Sequence, residues 1–340
     1  MHGTRALDLR AFHSRQERDR EVERLRIVVT GGAGFIGSNL VDILLNEGHA
    51  VTVVDNLSTG KFDNLMGVKD AAKENRFSFM HTDIRDDALV AAFKGKEQDA
   101  VIHLAAQPDV RISVKNPVMD ADINVLGTIN VLQLAAESGV KRFVNTSSGG
   151  CVYGEPDSIP VSEESPRRPD SPYGVSKLVA EEYIRYYERA RGISCCTLAL
   201  ANVYGPRQNA FGEAGVVAIF IGKILAGEDC TIFGDGEQTR DFVFVEDVVD
   251  AYRAALSKGD GEFLNIGTGI QTSVNELYRG IADIMDWEPA AGYAQARDGE
   301  LDHIALDAAK AGRVLGWKPR TTLPQGLSRT VDWYRQNLRR

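Results

Sequence analysis

The chain has 340 residues, of which 43% are apolar and 26% are charged, and its formal net charge is −9. This is ordinary globular composition, so it excludes a disordered chain, a collagen-like repeat and a disulfide-rich miniprotein, while the acidic balance argues against nucleic-acid binding. No apolar run reaches the roughly 18 residues of a membrane span, no secretory signal is visible, and the four cysteines form no disulfide or metal-binding pattern. We therefore expect a cytoplasmic protein with no metal and with neither nucleic acid nor membrane as a partner.

Residues 1–24 carry alternating charges and few apolar positions, which predicts a solvated N-terminal extension. From residue 25 onward, short β-branched runs alternate with helical segments. The predicted strands are 26–30, 50–55, 77–80, 100–104, 142–146 and 193–200, and the clearest helices are 39–46, 118–138 and 173–191. This alternation predicts an α/β fold, a Rossmann-type doubly wound parallel sheet with helices on both faces.

Beyond residue 200 the pattern becomes irregular and rich in turn residues. Shorter elements are predicted there, namely helices at 216–226 and 245–256 and strands at 231–233 and 263–266. We predict a dinucleotide-binding Rossmann domain over residues 25–200, onto which residues 240–267 pack back. Residues 201–239 and 268–340 are predicted to form a smaller, mixed α/β substrate-binding cap, with the ligand crevice at the carboxyl ends of the strands.

A glycine-rich turn follows the first predicted strand. The segment TGGAGFIG carries Gly31, Gly34 and Gly37 between that strand and a helix. Gly31 allows a tight turn, Gly34 lets backbone amides approach a pyrophosphate at the helix N-terminus, and Gly37 allows close packing of helix on strand. This spacing in this context predicts a dinucleotide-binding turn.

Acidic residues follow the second and third strands. Asp55 ends the second strand, where a carboxylate accepts hydrogen bonds from the adenosine ribose hydroxyls and repels a 2′-phosphate. The next residue is Asn56 rather than a basic one, so the sequence favours NAD over NADP. Asp83 and Ile84, after the third strand, are candidates for contact with the adenine, although a turn explains Asp83 equally well.

A tyrosine and a lysine are placed one helical turn apart near the end of the fifth strand. Tyr173 and Lys177 share a helix face because residues i and i+4 are neighbours on a helix surface. A phenol with a pKa of about 10 is a poor base at neutral pH, and positive charge from Lys177 and an oxidised nicotinamide favours its phenolate. Because Ser147 and Ser148 end the fifth strand at the same crevice, we predict an acid–base site there.

The order of these motifs resembles that of the NAD-dependent epimerase/dehydratase family of extended short-chain dehydrogenases/reductases, over about residues 25–335. Within that family the resemblance is strongest to the UDP-glucose 4-epimerases. The segments that carry it are TGGAGFIG (30–37), VVDN (53–56), HLAAQ (103–107), NVLGT (124–128), TSSGGCVYG (146–154), SPYGVSK (171–177), NVYGPRQ (202–208) and GDGEQTRDFVFVEDV (234–248). The resemblance implies an isomerase with tightly bound NAD that inverts C4 of a UDP-hexose through a transient 4-keto intermediate.

The resemblance also implies roles for individual positions. Tyr173 would be the catalytic base and acid, Lys177 would lower the pKa of Tyr173, and Ser148 would relay the proton of the sugar 4-hydroxyl. The implied cofactor contacts are Gly31, Gly34, Phe35, Ile36, Gly37, Asp55, Asn56, Asp83, Ile84, Leu104, Ala105, Ala106, Gln107, Asn124, Thr146, Tyr173 and Lys177. The implied substrate contacts are Ser148, Tyr173, Asn202, Arg207, Val216, Val217, Arg240, Arg297 and Ile304. Of these, Asn202, Arg240 and Arg297 would contact the diphosphate.

The segment after the serine pair distinguishes the reactions of this family. Dehydratases of the family carry an acidic pair there and decarboxylases carry a glutamate, whereas this chain has Gly149, Gly150 and Cys151. The absence of an acid favours simple oxidation and re-reduction at C4. One extra residue before Tyr153 leaves Ser147 open as an alternative to Ser148.

Several departures from the family pattern bear on the substrate. Asn209 stands where relatives that act on UDP-glucuronate often carry an arginine, so a UDP-glucuronate 4-epimerase is less favoured but stays an alternative. Ile304 matches a position that gates the sugar 2-substituent, and a branched apolar residue there predicts poor use of N-acetyl sugars. A UDP-N-acetylhexosamine epimerase or another NDP-sugar epimerase is a further alternative. Ala199 and Leu200 stand where the family commonly has an Arg-Tyr pair at the end of the sixth strand. How this strand end supports the nicotinamide and the substrate is therefore left open.

Two further functions are alternatives to an epimerase, and the resemblance also implies an oligomeric state. A dinucleotide-sensing regulator would lack the Tyr-Lys pair that this chain retains, and a reductase would consume NADH stoichiometrically. Helices at about 118–138 and 173–190 are implied by the resemblance to pair with their copies in a four-helix interface, so a homodimer is expected. His103 and the adjacent Cys195 and Cys196 are predicted to be structural.

Overall fold

A computed structural model of the protein describes residues 24–94, 97–210, 215–296 and 301–337. Nearly all of the predicted N-terminal extension lies outside these ranges. The predicted diphosphate contact Arg297 also lies outside them.

A parallel sheet of seven strands forms the centre of the described chain. Its strands run in the order β11-β6-β5-β4-β1-β2-β3, and every neighbouring pair is parallel. The strands of this sheet are β1 (Arg26–Thr30), β2 (Ala50–Asp55), β3 (Phe77–His81), β4 (Ala100–His103), β5 (Arg142–Ser148), β6 (Ser194–Leu200) and β11 (Glu262–Ile266). The predicted Rossmann-type α/β fold is confirmed, including the return of the segment at 263–266 to the main sheet.

Three pairs of short strands lie outside the central sheet. They are β7 (Asn202–Tyr204) with β10 (Phe242–Phe244), β9 (Thr239–Arg240) with β12 (Thr272–Ser273), and β8 (Thr231–Phe233) with β13 (Gly292–Ala294). The first and third pairs are parallel and the second is antiparallel. These pairs join parts of the chain that are far apart in sequence.

Helices cover both faces of the central sheet and form the outer layer. The α-helices are α1 (Phe35–Asn46), α2 (Lys69–Lys73), α3 (Val110–Lys115), α4 (Pro117–Ala121), α5 (Gly127–Glu137), α6 (Gly149–Val152), α7 (Pro172–Arg191), α8 (Val216–Ala226), α9 (Val245–Ala255), α10 (Val274–Met285), α11 (Ala309–Leu315) and α12 (Leu323–Asn337). Short 3₁₀ segments occupy Phe62–Val68 and Asp87–Ala92, and a π-helical turn occupies Asp122–Leu126.

The buried apolar residues fall into separate clusters. One cluster joins α1, α9 and α11 to one face of the sheet, and a second joins α5 and α7 to the opposite face. A third lies apart from the sheet and joins α8, α10 and α12. Residues of α9 therefore pack on the sheet although they follow the cap segments in sequence. The division into two domains with these boundaries stays a prediction.

Two elements differ from the predicted ones for reasons that are visible in their contacts. The helix predicted at 118–138 is interrupted by the π-helical turn at Asp122–Leu126, where the Asn124 side chain hydrogen-bonds to the backbone of Gln107. Strand β5 is longer than predicted because Ser147 and Ser148 pair with the last residues of β6. Both differences lie beside the predicted acid–base site.

Candidate active site

One cavity of about 830 Å³ runs along the carboxyl ends of the central strands. It begins at the glycine turn between β1 and α1 and reaches Ser148, Tyr173 and Lys177. This is the position at which open α/β sheets bind their ligands. Of the predicted cofactor contacts, all but Asn124 line it.

The glycine turn leaves no room for side chains. Gly31 has a φ of +71°, and a Cβ built on it would lie 2.7 Å from the backbone nitrogen of Ala105. A Cβ on Gly37 would lie 2.2 Å from the carbonyl oxygen of Gly31. Only glycine meets these conditions, so the backbone of the turn is open at the N-terminus of α1, where an anion is favoured.

The carboxylate of Asp55 lies at the other side of the turn. Its two oxygens accept hydrogen bonds from the backbone N–H groups of Ala33 at 2.9 Å and Leu57 at 2.8 Å. Asn56 donates to Asp83 at 2.7 Å, and Arg85 holds the pKa of Asp83 down at about 2 by hydrogen bonding. The acidic residues predicted for the adenosine end therefore share one edge of the cavity.

Tyr173 and Lys177 lie in the first turns of α7, which the sequence begins sharply. Ser171 caps the helix by accepting a hydrogen bond from the backbone N–H of Gly174 at 3.1 Å, and Pro172 occupies the first helical position. The Lys177 ammonium donates to the carbonyl of Thr146 at 3.1 Å and lies 5.8 Å from the centre of the Tyr173 ring. The predicted face of α7 is thus turned towards the end of β5.

Ser148 is the serine that meets the tyrosine. Its hydroxyl hydrogen-bonds to the Tyr173 phenol and also to the thiol of Cys151. The Ser147 hydroxyl, by contrast, is buried and has no hydrogen-bond partner in the described chain. The geometry therefore favours Ser148 over Ser147 as the partner of Tyr173.

Burial is the largest influence on the pKa values of Tyr173 and Lys177. It raises the pKa of the Tyr173 phenol above its ordinary value, and the hydrogen bond from Ser148 opposes that rise only in part. Burial also lowers the pKa of Lys177 to about 8. Desolvation of the phenol is thus the largest influence on the pKa of Tyr173 in this structure, and its lowering by Lys177 stays a prediction.

Asn124 and His103 support the site from behind. The Asn124 side chain accepts from the Gln107 backbone N–H at 2.9 Å and donates to the Gln107 carbonyl at 3.0 Å. The Asn124 amide therefore holds the Gln107 loop, which lines the cavity, and a direct contact of Asn124 with the cofactor stays a prediction. His103 hydrogen-bonds to Thr30 and Thr128, and burial lowers its pKa to about 3.

The predicted substrate contacts are more scattered. Arg207 lines the cavity with a φ of +72°, and its guanidinium pairs with Asp42 of α1; its contact with the substrate stays a prediction. Asn202 lies at the start of β7 beside Gly150. Arg240, in β9, acts electrostatically on Cys151 and so lies near the acid–base cluster.

Three apolar positions with predicted substrate contacts pack in apolar clusters, and those contacts stay predictions. Val217 is buried in the cluster that joins α8, α10 and α12, and Val216 is half-buried against it. Ile304 is 2% exposed and packs with Tyr153, Leu306 and their neighbours. None of the three lines the described cavity.

Sequence reasoning missed several residues of the site. Cys151 hydrogen-bonds to Ser148, and Tyr252 hydrogen-bonds to Thr146 at 2.7 Å. Trp333 and Tyr334, near the end of α12, also line the cavity. Cys151 follows Ser148 closely in the chain, but its contact with the serine depends on how α6 turns away from β5. Tyr252, Trp333 and Tyr334 carry no local pattern, because they reach the site only through the packing of distant helices.

No group of His, Cys, Asp and Glu in the described part of the chain is arranged to hold a metal ion. Among the helices that the structure describes, none has the length and apolarity to cross a membrane.

The fold and the cavity define a nucleotide-binding enzyme of the short-chain dehydrogenase/reductase class, with a serine, a tyrosine and a lysine at the carboxyl end of β5. The family model described as GDP-mannose 4,6 dehydratase matches residues 28–330. The chain therefore belongs to this NAD-dependent epimerase/dehydratase family.

Individual relatives give the degree of similarity. The UDP-glucose 4-epimerase of Mycolicibacterium smegmatis is 45% identical over 312 residues, which cover 92% of this chain and 99% of that relative. The crystal structure of UDP-glucose 4-epimerase with UDP-glucose from Thermotoga maritima has a TM-score of 0.88 at 43% identity, covering 92% of this chain and 100% of the other. The Thermus thermophilus UDP-glucose 4-epimerase in complex with NAD has a TM-score of 0.85 at 38% identity, with coverage of 92% and 100%.

Proposed function

We propose that this protein is an NAD-dependent 4-epimerase of a UDP-hexose of the UDP-glucose/UDP-galactose type. The observation that carries the proposal is the contact of Ser148 with Tyr173 beside Lys177, in a cavity that starts at a dinucleotide-type glycine turn. The adjacent residues Gly149–Cys151 supply no carboxylate, so the cluster is suited to moving one proton rather than to eliminating water. The similarity to UDP-glucose 4-epimerases supports the same reaction.

The residues around the turn fit NAD. The side-chain-free backbone at Gly31 and Gly37 suits a pyrophosphate, and the Asp55 carboxylate suits the adenosine ribose. Bound NAD supplies the acceptor and donor of the C4 hydride and a positive ring in its oxidised form. The free-energy cost of forming a buried phenolate at Tyr173 is offset by such positive charge together with that of Lys177.

The protein's own residues handle the proton of the sugar 4-hydroxyl. Ser148 hydrogen-bonds to the phenol of Tyr173 and can pass a proton between that phenol and the sugar. Tyr173 takes the proton when the sugar is oxidised to the 4-keto form and returns it when the hydroxyl is restored. Lys177, held by the Thr146 carbonyl, keeps a positive charge beside the phenol.

Epimerisation requires the 4-keto sugar to present both of its faces. A firm hold on the diphosphate and a loose hold on the sugar meet that requirement. Arg240 and Asn202 are the described candidates for the diphosphate, and Arg240 lies near the acid–base cluster. Arg297 is a further candidate by sequence.

A panel of nucleotide sugars tests the proposal. The purified protein is incubated with UDP-galactose, UDP-N-acetylglucosamine and UDP-glucuronate, and the products are separated by chromatography. We expect UDP-glucose from UDP-galactose, with no net consumption of NADH and little product in the Tyr173→Phe variant. Conversion of UDP-glucuronate alone, or stoichiometric consumption of NADH, would replace the proposal with one of its alternatives.

We further propose that the protein is a homodimer that acts in the cytoplasm. Large apolar side chains are exposed on α4, the π-helical turn and α7, the elements for which a four-helix interface was expected. They are Val118, Leu126, Val175, Val179, Tyr183 and Tyr186. Contiguous exposed apolar surface of this kind is typical of protein–protein interfaces. The four free cysteines suit a reducing compartment.

Sedimentation equilibrium tests the assembly. We expect a dimer that dissociates in the Val118→Asp/Val175→Asp double variant, because two exposed apolar contacts are replaced by charge. An exposed position away from this face, Ile270→Asp, is the matched control. A wild-type protein that stays monomeric as its concentration rises would contradict the proposal.

A further inference from the structure

Asp120 is a buried carboxylate next to the acid–base cluster. It lies in α4, its exposure is 0%, and it accepts three hydrogen bonds. Ser176 donates to one of its oxygens at 2.6 Å. Gln107 at 3.0 Å and Asn124 at 2.9 Å donate to the other. All three donors are neutral, so none of these hydrogen bonds neutralises the carboxylate.

The three donors belong to different parts of the site. Ser176 precedes Lys177 on α7, Gln107 lies in the loop that lines the cavity after β4, and Asn124 lies in the π-helical turn. Asp120 therefore joins the helix that carries Tyr173 to the loop that faces the cofactor end. Burying a carboxylate is costly in free energy, and hydrogen bonds from three neutral groups do not neutralise its charge. The buried charge therefore indicates a role beyond joining these three side chains.

Charged and titratable groups on several elements interact with Tyr173 and Lys177. Asp120 faces them from α4, Cys151 from α6, His103 from β4 and Tyr252 from α9, while Arg240 acts on Cys151 from β9. Burial raises the pKa of the Cys151 thiol, lowers that of the His103 ring and raises that of the Tyr252 phenol, which favours their neutral forms at neutral pH.

Asp120 therefore supplies the principal negative charge among these described neighbours. Burial works against the charge of Lys177, and the Asp120 carboxylate opposes that effect and raises the pKa of Lys177. The same charge raises the pKa of the Tyr173 phenol. Loss of the carboxylate should lower both pKa values together.

We propose that Asp120 is a positioning residue for the Tyr173–Lys177 pair, which keeps Lys177 charged and fixes α7 against the Gln107 loop. The effect of Asp120 on activity rests on the proposed function, since it assumes that Tyr173 and Lys177 carry the reaction. The effect of Asp120 on the charge of Lys177 is independent of the proposed function.

The first test measures that charge directly. In the full-length enzyme labelled with ¹³C-lysine, the Lys177 Cε resonance is identified by its loss in Lys177→Met and followed with pH. We expect the midpoint to be about one pH unit lower in Asp120→Asn than in wild type, because a nearby opposite charge typically shifts a pKa by about one unit or more. An unchanged midpoint would overturn the proposal, even for a protein without epimerase activity.

The second test is the pH profile of kcat. Both limbs should move towards acid in Asp120→Asn, because Tyr173 loses its proton more easily and Lys177 loses its charge at lower pH. Well above pH 8, a pKa that is about one unit lower leaves about tenfold less charged Lys177, so kcat should fall about tenfold with KM nearly constant. A uniform loss of kcat at every pH would indicate a merely structural role and overturn the proposal.

Two variants separate charge from hydrogen bonding. Asp122→Asn removes an acid two residues away that pairs with Arg85 at the surface, and we expect the Lys177 midpoint to stay where it is in wild type. Ser176→Ala removes one hydrogen bond of Asp120 and keeps its charge, so the midpoint should also stay. If Asp120→Asn does not fold, Asp120→Ser removes the charge while keeping an acceptor, and the same shift is expected.

Discussion

The cofactor end and the sugar end of the cavity are built in different ways. At the cofactor end, the turn with Gly31 and Gly37 and the carboxylate of Asp55 come from β1, α1 and β2, which are neighbours in both chain and sheet. For the sugar end, the two residues proposed to hold the diphosphate, Asn202 and Arg240, come from short two-stranded pairs outside the main sheet. Local sequence therefore forms the cofactor end almost by itself, whereas the proposed sugar end depends on pairing between segments that are far apart in the chain.

The largest effect is expected where the two ends meet. Tyr173→Phe removes the phenol that exchanges a proton with the sugar, so kcat should fall by about 10²–10⁴ with little change in KM. The measurement is the initial rate of UDP-galactose conversion at saturating substrate. Tyr183→Phe, an exposed tyrosine on the same helix, is the control and should keep wild-type kcat. A Tyr173→Phe enzyme of near wild-type activity would exclude this residue as the acid–base group.

The next effect tests the cofactor end. Asp55→Ala removes the acceptor for the Ala33 and Leu57 N–H groups and the charge that repels a 2′-phosphate. We expect affinity for NAD to fall by about tenfold to a hundredfold, about 1.4–2.8 kcal/mol, and discrimination against NADP to relax. Calorimetric titration with both dinucleotides measures this. Asp42→Ala, which removes the partner of Arg207, is the control and should leave the NAD/NADP preference unchanged. Tighter binding of NADP than NAD by the wild type would contradict this account of Asp55.

A smaller effect is expected at the sugar end. Arg240→Ala removes a cation proposed to hold the diphosphate in ground state and transition state alike, so KM should rise by about tenfold while kcat changes little. Steady-state kinetics with UDP-galactose measures both constants. Arg253→Ala, which breaks a surface pair with Glu47, is the matched control. A fall in kcat at constant KM would assign Arg240 to the chemical step instead.

The smallest effect on activity is expected at Ile304. The sequence predicts that Ile304→Ser reduces the difference in kcat/KM between UDP-glucose and UDP-N-acetylglucosamine. Burial of this side chain beside Tyr153 predicts instead a loss of stability of about 2–4 kcal/mol with an unchanged ratio of kcat/KM for the two sugars, which is the result we expect. Thermal unfolding and kinetics with both sugars decide between the two predictions, and Ile304→Val is the control. A kcat/KM ratio closer to one in the serine variant alone would establish that Ile304 gates the sugar 2-substituent.

The acid–base cluster shows how far local pattern reaches. The spacing of Tyr173 and Lys177 places them on one helix face. The cap at Ser171 and the proline at 172 fix the start of α7, so both residues lie in its first two turns. Sequence comparison left Ser147 and Ser148 as alternatives, because one extra residue before Tyr153 leaves the register of the serine pair open. Their contacts in the folded protein separate them.

Charge states were harder to predict than positions. A lysine four residues from a tyrosine suggests a lowered phenol pKa, yet burial raises the pKa of Tyr173 and lowers that of Lys177 to about 8. Desolvation depends on how much chain covers a group, and that is a property of the packed molecule. Asn124 is a parallel case, since its amide is used by the Gln107 backbone across a π-helical turn that periodicity does not reveal.

The sequence by itself determined the alternation of strands and helices, the glycine turn, Asp55 and the Tyr173–Lys177 face, because each depends on backbone preference and on contacts between neighbours in the chain. The tertiary structure decided the position of Arg240, the burial of Ile304 and the junction that Asp120 makes between α4, α7 and the Gln107 loop. These depend on which distant segments pack together, and therefore on the low-dielectric environment that packing creates around each charge.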